Sequence, residues 1–209
     1  IPSSVWKIDE NAFEYCKELK MFYFEDNSQI NYLSKSLFVS SPLENMIIPE
    51  DLIQFDEEFF MDFRELKVIN IHPNNHNFTL YNNDFLLGKS DVYSDIFDVI
   101  LFARRDIKNA FIPSFITKIA PFSFQFCQKI ESVKFEEGSN LEIIGRYSFH
   151  NSSLKSINIP SSVLHIIDSA FFCCYNLRTV CFSDDSKLKT IDIYSFASSD
   201  IEEINLPSS

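Results

Sequence analysis

Ile1-Pro2 returns as Ile48-Pro49, Ile112-Pro113, Ile159-Pro160 and Leu206-Pro207, and three of those four steps are 47 residues. A second apolar column runs through Leu19, Leu43, Leu66, Ile107, Ile130, Leu154, Leu177 and Ile201, at steps of 24, 23, 41, 23, 24, 23 and 24. A third, Phe13, Phe38, Phe60, Phe124, Phe149, Phe171 and Phe196, alternates by 25 and 22 apart from the same interrupted step. The true period is therefore a half-repeat of about 23 residues, long and short units alternating. A unit of that size cannot bury its own apolar face, so the units must stack, each strand pairing with the next.

Each unit reads as Leu-x-x-Val-x-Ile/Phe, a turn, Val/Leu-x-x-Ile, then a small residue and Phe, two residues, and Cys or Ser. The alternation in Ser156-Ile157-Asn158-Ile159 predicts a short strand with Ile157 and Ile159 facing inward. Proline has no N–H to give a ladder, so Pro49, Pro113, Pro160 and Pro207 end their strands. Alternate units end in the polar turns Glu25-Asp26-Asn27-Ser28, Glu136-Glu137-Gly138-Ser139 and Ser183-Asp184-Asp185-Ser186. Segments such as Asp9 to Cys16 and Asp168 to Cys174 read as single irregular or helical turns, too short for independent helices. The expected fold is a repeat solenoid with a continuous parallel β-sheet on one face and short turns or helical turns on the other. After the leucine column comes a charged row, Lys20, Glu44, Lys67, Lys108, Glu131, Lys155, Arg178 and Glu202, expected to pair as an exposed ladder.

The 41-residue step marks an insertion, taken as residues 72–106 within a single solenoid over 1–209. Leu80 to Leu87 and Val99 to Phe102 read as strands around polar turns, a hairpin-like excursion from the rod. The chain begins without Met and ends in the phase in which it began, so it reads as a fragment of a longer array.

Composition excludes several function classes. A formal charge of -12 repels phosphate backbones and argues against nucleic-acid binding. No apolar run, Val99 to Ala103 among them, is nearly long enough to span a bilayer. Gly88-Lys89-Ser90 resembles the end of a phosphate loop, but Asn83 stands where the motif needs its first glycine. His72 and His76 flank Pro73 and two asparagines, which reads as a loop and not a helical metal pair. Cys16, Cys127 and Cys174 share one repeat column and are expected to be buried thiols, with Cys173 beside the buried Cys174 and Cys181 facing outward; five such positions make no disulfide framework. No catalytic residue, cofactor or metal site is expected. Asn77-Phe78-Thr79 and Asn151-Ser152-Ser153 are N-glycosylation sequons, relevant only in a secretory pathway.

Ile159-Pro160-Ser161-Ser162-Val163, then Ile166, Ala170-Phe171, Cys174, Leu177 and Val180, resembles the BspA-type leucine-rich repeat, and the likeness extends over nearly the whole chain. Glu57-Glu58-Phe59-Phe60 departs from the small-Phe pair, and Phe63 stands in place of the cysteine. The resemblance implies a leucine-rich-repeat-like solenoid without catalytic residues, of a kind found in surface or secreted proteins. It also implies a protein or glycan partner, host or matrix components included. The unpaired cysteines support a second reading, an intracellular protein-interaction scaffold, with a cytoplasmic location.

In such a sheet the outward position between the last two core residues runs Tyr23, Ile47, Asn70, Phe111, Lys134, Asn158, Cys181 and Asn205. Its first half is the more apolar, and with Met21 and Val68 beside them, Tyr23, Ile47 and Phe111 form a candidate partner-binding patch. Two readings stand: an exposed recognition surface, or a satellite core covered by the inserted segment.

Overall fold

The short period dictates short strands. The computed structural model describes residues 1–206, and within them the chain forms β1 (Met21–Phe22), β2 (Tyr32–Leu33), β3 (Asn45–Ile48), β4 (Gln54–Phe55), β5 (Val68–Ile71), β6 (Thr79–Tyr81), β7 (Phe85–Gly88), β8 (Val99–Ala103) and β9 (Asn109–Ile112). It continues with β10 (Lys118–Ile119), β11 (Ser132–Phe135), β12 (Ile143–Ile144), β13 (Ser156–Ile159), β14 (His165–Ile166), β15 (Thr179–Phe182), β16 (Thr190–Ile191) and β17 (Glu203–Asn205). Pro207, the last of the expected strand-ending prolines, lies outside the described residues.

The first strand of each unit builds a front sheet, with in-register parallel pairing such as Ile157 to Val180 and Ile159 to Phe182. Ile157 and Ile159 are buried, as the alternation requires. The sheet is not the continuous one expected: it falls into β1-β3-β5, β9-β11 and β13-β15-β17. Of the five opposite-charge steps beside it, Lys20–Glu44 (3.1 Å), Glu44–Lys67 (3.9 Å) and Arg178–Glu202 (3.5 Å) close. Glu131 forms no ion pair with Lys108 or Lys155 among the described residues, which is the two-sided failure of one acidic residue between two long, solvated lysines.

The two-residue strands make a second sheet, β2-β4 and, separately, β16-β14-β12-β10-β8-β7-β6. The inserted segment is hairpin-like, as expected, but its strands join this sheet and do not leave the rod. β8 pairs in parallel with β10, while β7 pairs antiparallel with β8 and β6 with β7. Its apolar strands supply core, with Phe85, Leu86, Leu87, Ile100 and Phe102 all buried.

No helix forms among the described residues; of the irregular or helical turns expected, the irregular alternative holds, and these turns build a third ladder. Phe122, Phe124 and Phe126 donate N–H bonds to the carbonyls of Arg146, Ser148 and His150 at 3.1, 2.7 and 3.0 Å. Tyr147, Phe149 and Asn151 do the same to Asp168, Ala170 and Phe172 (3.2, 2.8 and 3.0 Å). An N–H pledged to the next unit is lost to an α-helical bond, so the backbone must alternate its sense. It does so through paired left-handed residues four apart: Phe122 and Phe126 (φ 61° and 59°), Tyr147 and Asn151 (51° and 53°), Ser169 and Cys173 (both 57°). The ladder carries the phenylalanine column into the core as a stack, Phe124–Phe149 at 4.7 Å, Phe149–Phe171 at 5.0 Å and Phe171–Phe196 at 5.1 Å, with rings within 12° of parallel.

At the interrupted unit this third ladder lacks a rung, because the chain passes from β8 through Arg104-Arg105-Asp106 directly to Ile107. Arg105 fills the space. It is 4% exposed, its Nε donates to the Phe63 carbonyl at 2.6 Å, and its Nη atoms donate to the carbonyls of Ala103 (3.1 Å), Ser123 (2.7 Å) and Phe122 (3.2 Å). Burial pushes this guanidinium down to about 10, still cationic at neutral pH.

Candidate recognition surface

The front sheet turns one side chain in two outward, and its first three rungs carry the apolar ones. Met21 registers with Asn45 and Asn45 with Val68, while the next position in, Phe22–Met46–Ile69, is buried core. Tyr23 follows β1 at the level of Ile47. Met21 is 61% exposed, Tyr23 57%, Ile47 38% and Val68 43%, so the inserted segment does not cover them. Phe111, 50% exposed, stands apart on β9. The remaining outward positions, Lys134, Asn158, Cys181 and Asn205, are polar or only partly exposed.

Beside β5 lies a cleft of about 280 Å³ lined by Lys67, Val68, Asn70, Asn83, Asp84 and Arg104. Arg104 forms a two-point contact with Asp106 (2.7 and 2.9 Å), and that guanidinium holds the Asp106 carboxyl below its usual range. Partial burial raises Asp84 instead. Beside the patch, the hydrogen bond and charge of Lys20 hold Glu44 below the ordinary carboxylate range. The sequence alone does not single out Asp84 or Arg104, and it marks Asn83 only as a departure from a phosphate loop; their signal is their position at the tip and exit of the inserted segment.

The other candidate chemistry resolves into structure. Gly88 closes β7, and Ser90 donates its N–H (2.8 Å) and hydroxyl (2.6 Å) to Asp98, with Thr117 adding a third bond at 2.7 Å. These bonds hold Asp98 below its usual range against the opposing effect of burial. His72 and His76 lie in a turn in which Asn75 is clamped to the carbonyls of Pro49 and Leu52 (2.8 and 3.0 Å). No group of three or more His, Cys, Asp or Glu placed to hold a metal occurs among the described residues. All five cysteines are unpaired. Cys127 and Cys174 are buried and Cys181 partly exposed, but Cys16 is half-buried where full burial was expected, because its turn has a neighbouring unit on one side only. Of the sequons, Asn77 commits its side-chain N–H to the Leu52 carbonyl at 3.0 Å, and Asn151 holds a left-handed turn position, its oxygens facing the Gln128 amide. No helix is long and apolar enough to cross a membrane among the described residues.

Stacked units of this period, paired through parallel ladders and centred on leucine and phenylalanine columns, define a leucine-rich-repeat type of β-solenoid. The chain belongs to the BspA type leucine rich repeat family, whose pattern it matches in six copies over residues 1–85 and 97–209. The fold is similar to that of a leucine rich cell surface protein from Faecalibacterium prausnitzii, at 20% identity and a TM-score of 0.68, covering 99% of this chain and 64% of that one. It is also similar to a leucine-rich repeat protein from Eubacterium ventriosum (14% identity, TM-score 0.53, 90% of this chain and 68% of that one). The pneumococcal vaccine antigen PcpA is similar at 18% identity and a TM-score of 0.53, over 90% of this chain and 59% of that one. No curated protein matches the chain in sequence.

Proposed function

We propose that the chain is a non-catalytic recognition or adhesion module that binds a protein or glycan ligand through the front sheet. The observation that carries this reading is the exposed cluster Met21, Tyr23, Ile47 and Val68 on three successive rungs, with Phe111 exposed further along on β9. Exposed apolar side chains gathered on a flat, rigid sheet release water when a partner covers them, and a flexible methionine beside an aromatic ring adapts to the partner's shape. Aliphatic Ile47 and Val68 favour a protein partner over a sugar. The likeness to a cell surface protein and to a vaccine antigen supports a place at the cell surface or outside the cell.

A second reading, an intracellular scaffold using the same surface, is favoured by one observation: five cysteines, none paired. Labelling intact source cells with a membrane-impermeant amine reagent separates the two. Surface placement predicts modification of the parent protein before lysis, and protection until lysis supports the scaffold. The binding surface is tested by comparing partner capture by the wild-type chain and a Tyr23→Ala, Ile47→Ala, Phe111→Ala variant of unchanged thermal stability. Capture that survives all three substitutions removes the front sheet from consideration.

A further inference from the structure

The second sheet contains an open strand position. In every intact step of that sheet, two carbonyls of one rung accept three N–H groups of the next. Asn31 accepts from Ile53 and Gln54 (2.9 and 3.3 Å) and Leu33 from Asp56 (2.9 Å). Thr117 accepts from Glu142 and Ile143 (2.8 and 3.3 Å), and Ile119 from Gly145 (2.9 Å). On β4 the equivalent carbonyls are Ile53 and Phe55, and neither receives a backbone N–H among the described residues. The chain that would supply the next rung reaches Phe78, which packs on Phe55 at 4.9 Å, and then diverges into β6 on the far side of β7.

Gln54 turns its N–H to β2, so strand alternation turns both backbone groups of Phe55 the other way. They point into a cleft of about 400 Å³, with Gln54, Phe55 and Glu57 on one wall and Lys89, Leu101 and Lys118 on the other. The ring of Phe55 is core while its N–H and C=O are a free strand edge. Buried backbone polar groups left in that state are costly, and a free edge is a template for another strand.

We propose that this cleft binds an extended peptide segment of a partner protein, added as a parallel strand to β4, with an acidic side chain directed at Lys89 and Lys118. The strand supplies an N–H to Ile53 and to Phe55 and accepts from the Phe55 N–H, the pattern that every intact rung shows. Charge selects the side chain. Lys89 has only a cation–π contact, over the Phe97 ring at 4.9 Å, and neither it nor Lys118 forms an ion pair among the described residues, in a molecule of net charge -12. On the facing wall Asp56 is already occupied, by the Tyr32 hydroxyl at 2.7 Å and the Glu58 N–H at 2.9 Å, and Glu57 is exposed to solvent. The site lies on the second sheet, separate from the front-sheet patch, and stands or falls without it.

The probe is the peptide acetyl-Thr-Val-Glu-Val-Thr-amide, titrated into the full ¹⁵N-labelled chain to roughly millimolar concentration. The expected result is a downfield shift of the Phe55 amide as it gains an acceptor, with further shifts at Gln54, Lys89 and Lys118. Methylating the backbone nitrogen of the glutamate and of the valine after it is expected to weaken binding roughly tenfold or more. A Lys89→Glu, Lys118→Glu protein is expected to prefer the peptide with lysine in place of glutamate. An unmoved Phe55 amide, equal binding of the methylated peptide, or shifts confined to the front sheet would each overturn the proposal.

Discussion

Replacing Arg105 with methionine tests whether one buried cation takes the place of a missing rung. The substitution keeps most of the apolar stem and removes the guanidinium, with its bonds to the carbonyls of Phe63, Ala103, Ser123 and Phe122 and its position 4.1 Å above the Phe102 ring. The acceptors do not all suffer equally. Ser123 keeps the Ala103 N–H at 2.9 Å and Phe122 keeps the Gln125 N–H at 3.1 Å, but Phe63 retains no backbone donor among the described residues. One orphaned buried carbonyl costs about 1–3 kcal/mol, and losing the charged bonds to the others adds to it. Lost contact with the Phe102 face adds about 1–2 kcal/mol. Against these stands relief from burying a charge that has no carboxylate partner, an opposing effect of several kcal/mol that cancels much of the sum. The net expectation is destabilisation of about 1–2 kcal/mol, read as a lower urea midpoint at unchanged slope. Arg105→Lys is expected to be no better, because a single ammonium cannot reach carbonyls on both sides of the gap. An Arg105→Met midpoint equal to or above that of the wild type would refute the reasoning, showing that desolvation outweighs the bonds.

Ser148 sits in the small-residue position before Phe149, fully buried, and its hydroxyl has no partner among the described residues, whereas Ser123 and Ser195 donate to Ala120 and Asp192 at 2.8 and 2.7 Å. Ser148→Ala is expected to raise stability by about 1 kcal/mol and Ser123→Ala to lower it by a similar amount, both measured by urea titration. A disulfide reagent applied to the native chain is expected to modify Cys16, Cys173 and Cys181, and to reach Cys127 and Cys174 only after unfolding. Burial pushes the Cys174 thiol from 9.0 up to about 11, so between those values the unfolded chain loses its proton first. Stability contributed by this group is complete below about 9 and falls by about 3 kcal/mol as pH rises to 11, a decline that Cys174→Ala is expected to reduce in alkaline unfolding curves.

The repeat made the front strands, their inward residues and the phenylalanine column legible, because each is a periodic pattern imposed by stacking. Ile157 and Ile159 could be placed from alternation alone. The third ladder could not, since its left-handed positions are held by Phe122, Tyr147, Ser169 and Cys173, residues with no intrinsic preference for that region. They adopt it because their N–H groups find carbonyls only in the adjoining unit, which is information held between units and not within one. Arg105 was hidden for a related reason. Its neighbours Phe63 and Ser123 lie 42 and 18 residues away, and the only local signal was that no small-Phe pair separates Val99 to Ala103 from the Ile107 column.

Among identical units every exposed residue has an equivalent one rung away, so a solenoid can present a single distinctive site only where that equivalence fails. Here it fails in all three ladders at one unit. The front sheet parts between β5 and β9, the second sheet parts after β4, and the third ladder loses a turn that Arg105 replaces. Elsewhere such gaps would loosen the stack, but Glu58–Arg146 (3.3 Å), the Asp62 N–H to Gln125 (3.2 Å) and Arg64 over Phe126 (4.1 Å) bridge the third side across the missing turn. The unit is thus closed on the third side and left open on the two sheet faces. Rigidity on one side keeps the strand edges of the other two fixed and unpaired, which is the state in which they cost least to fill with a partner's backbone.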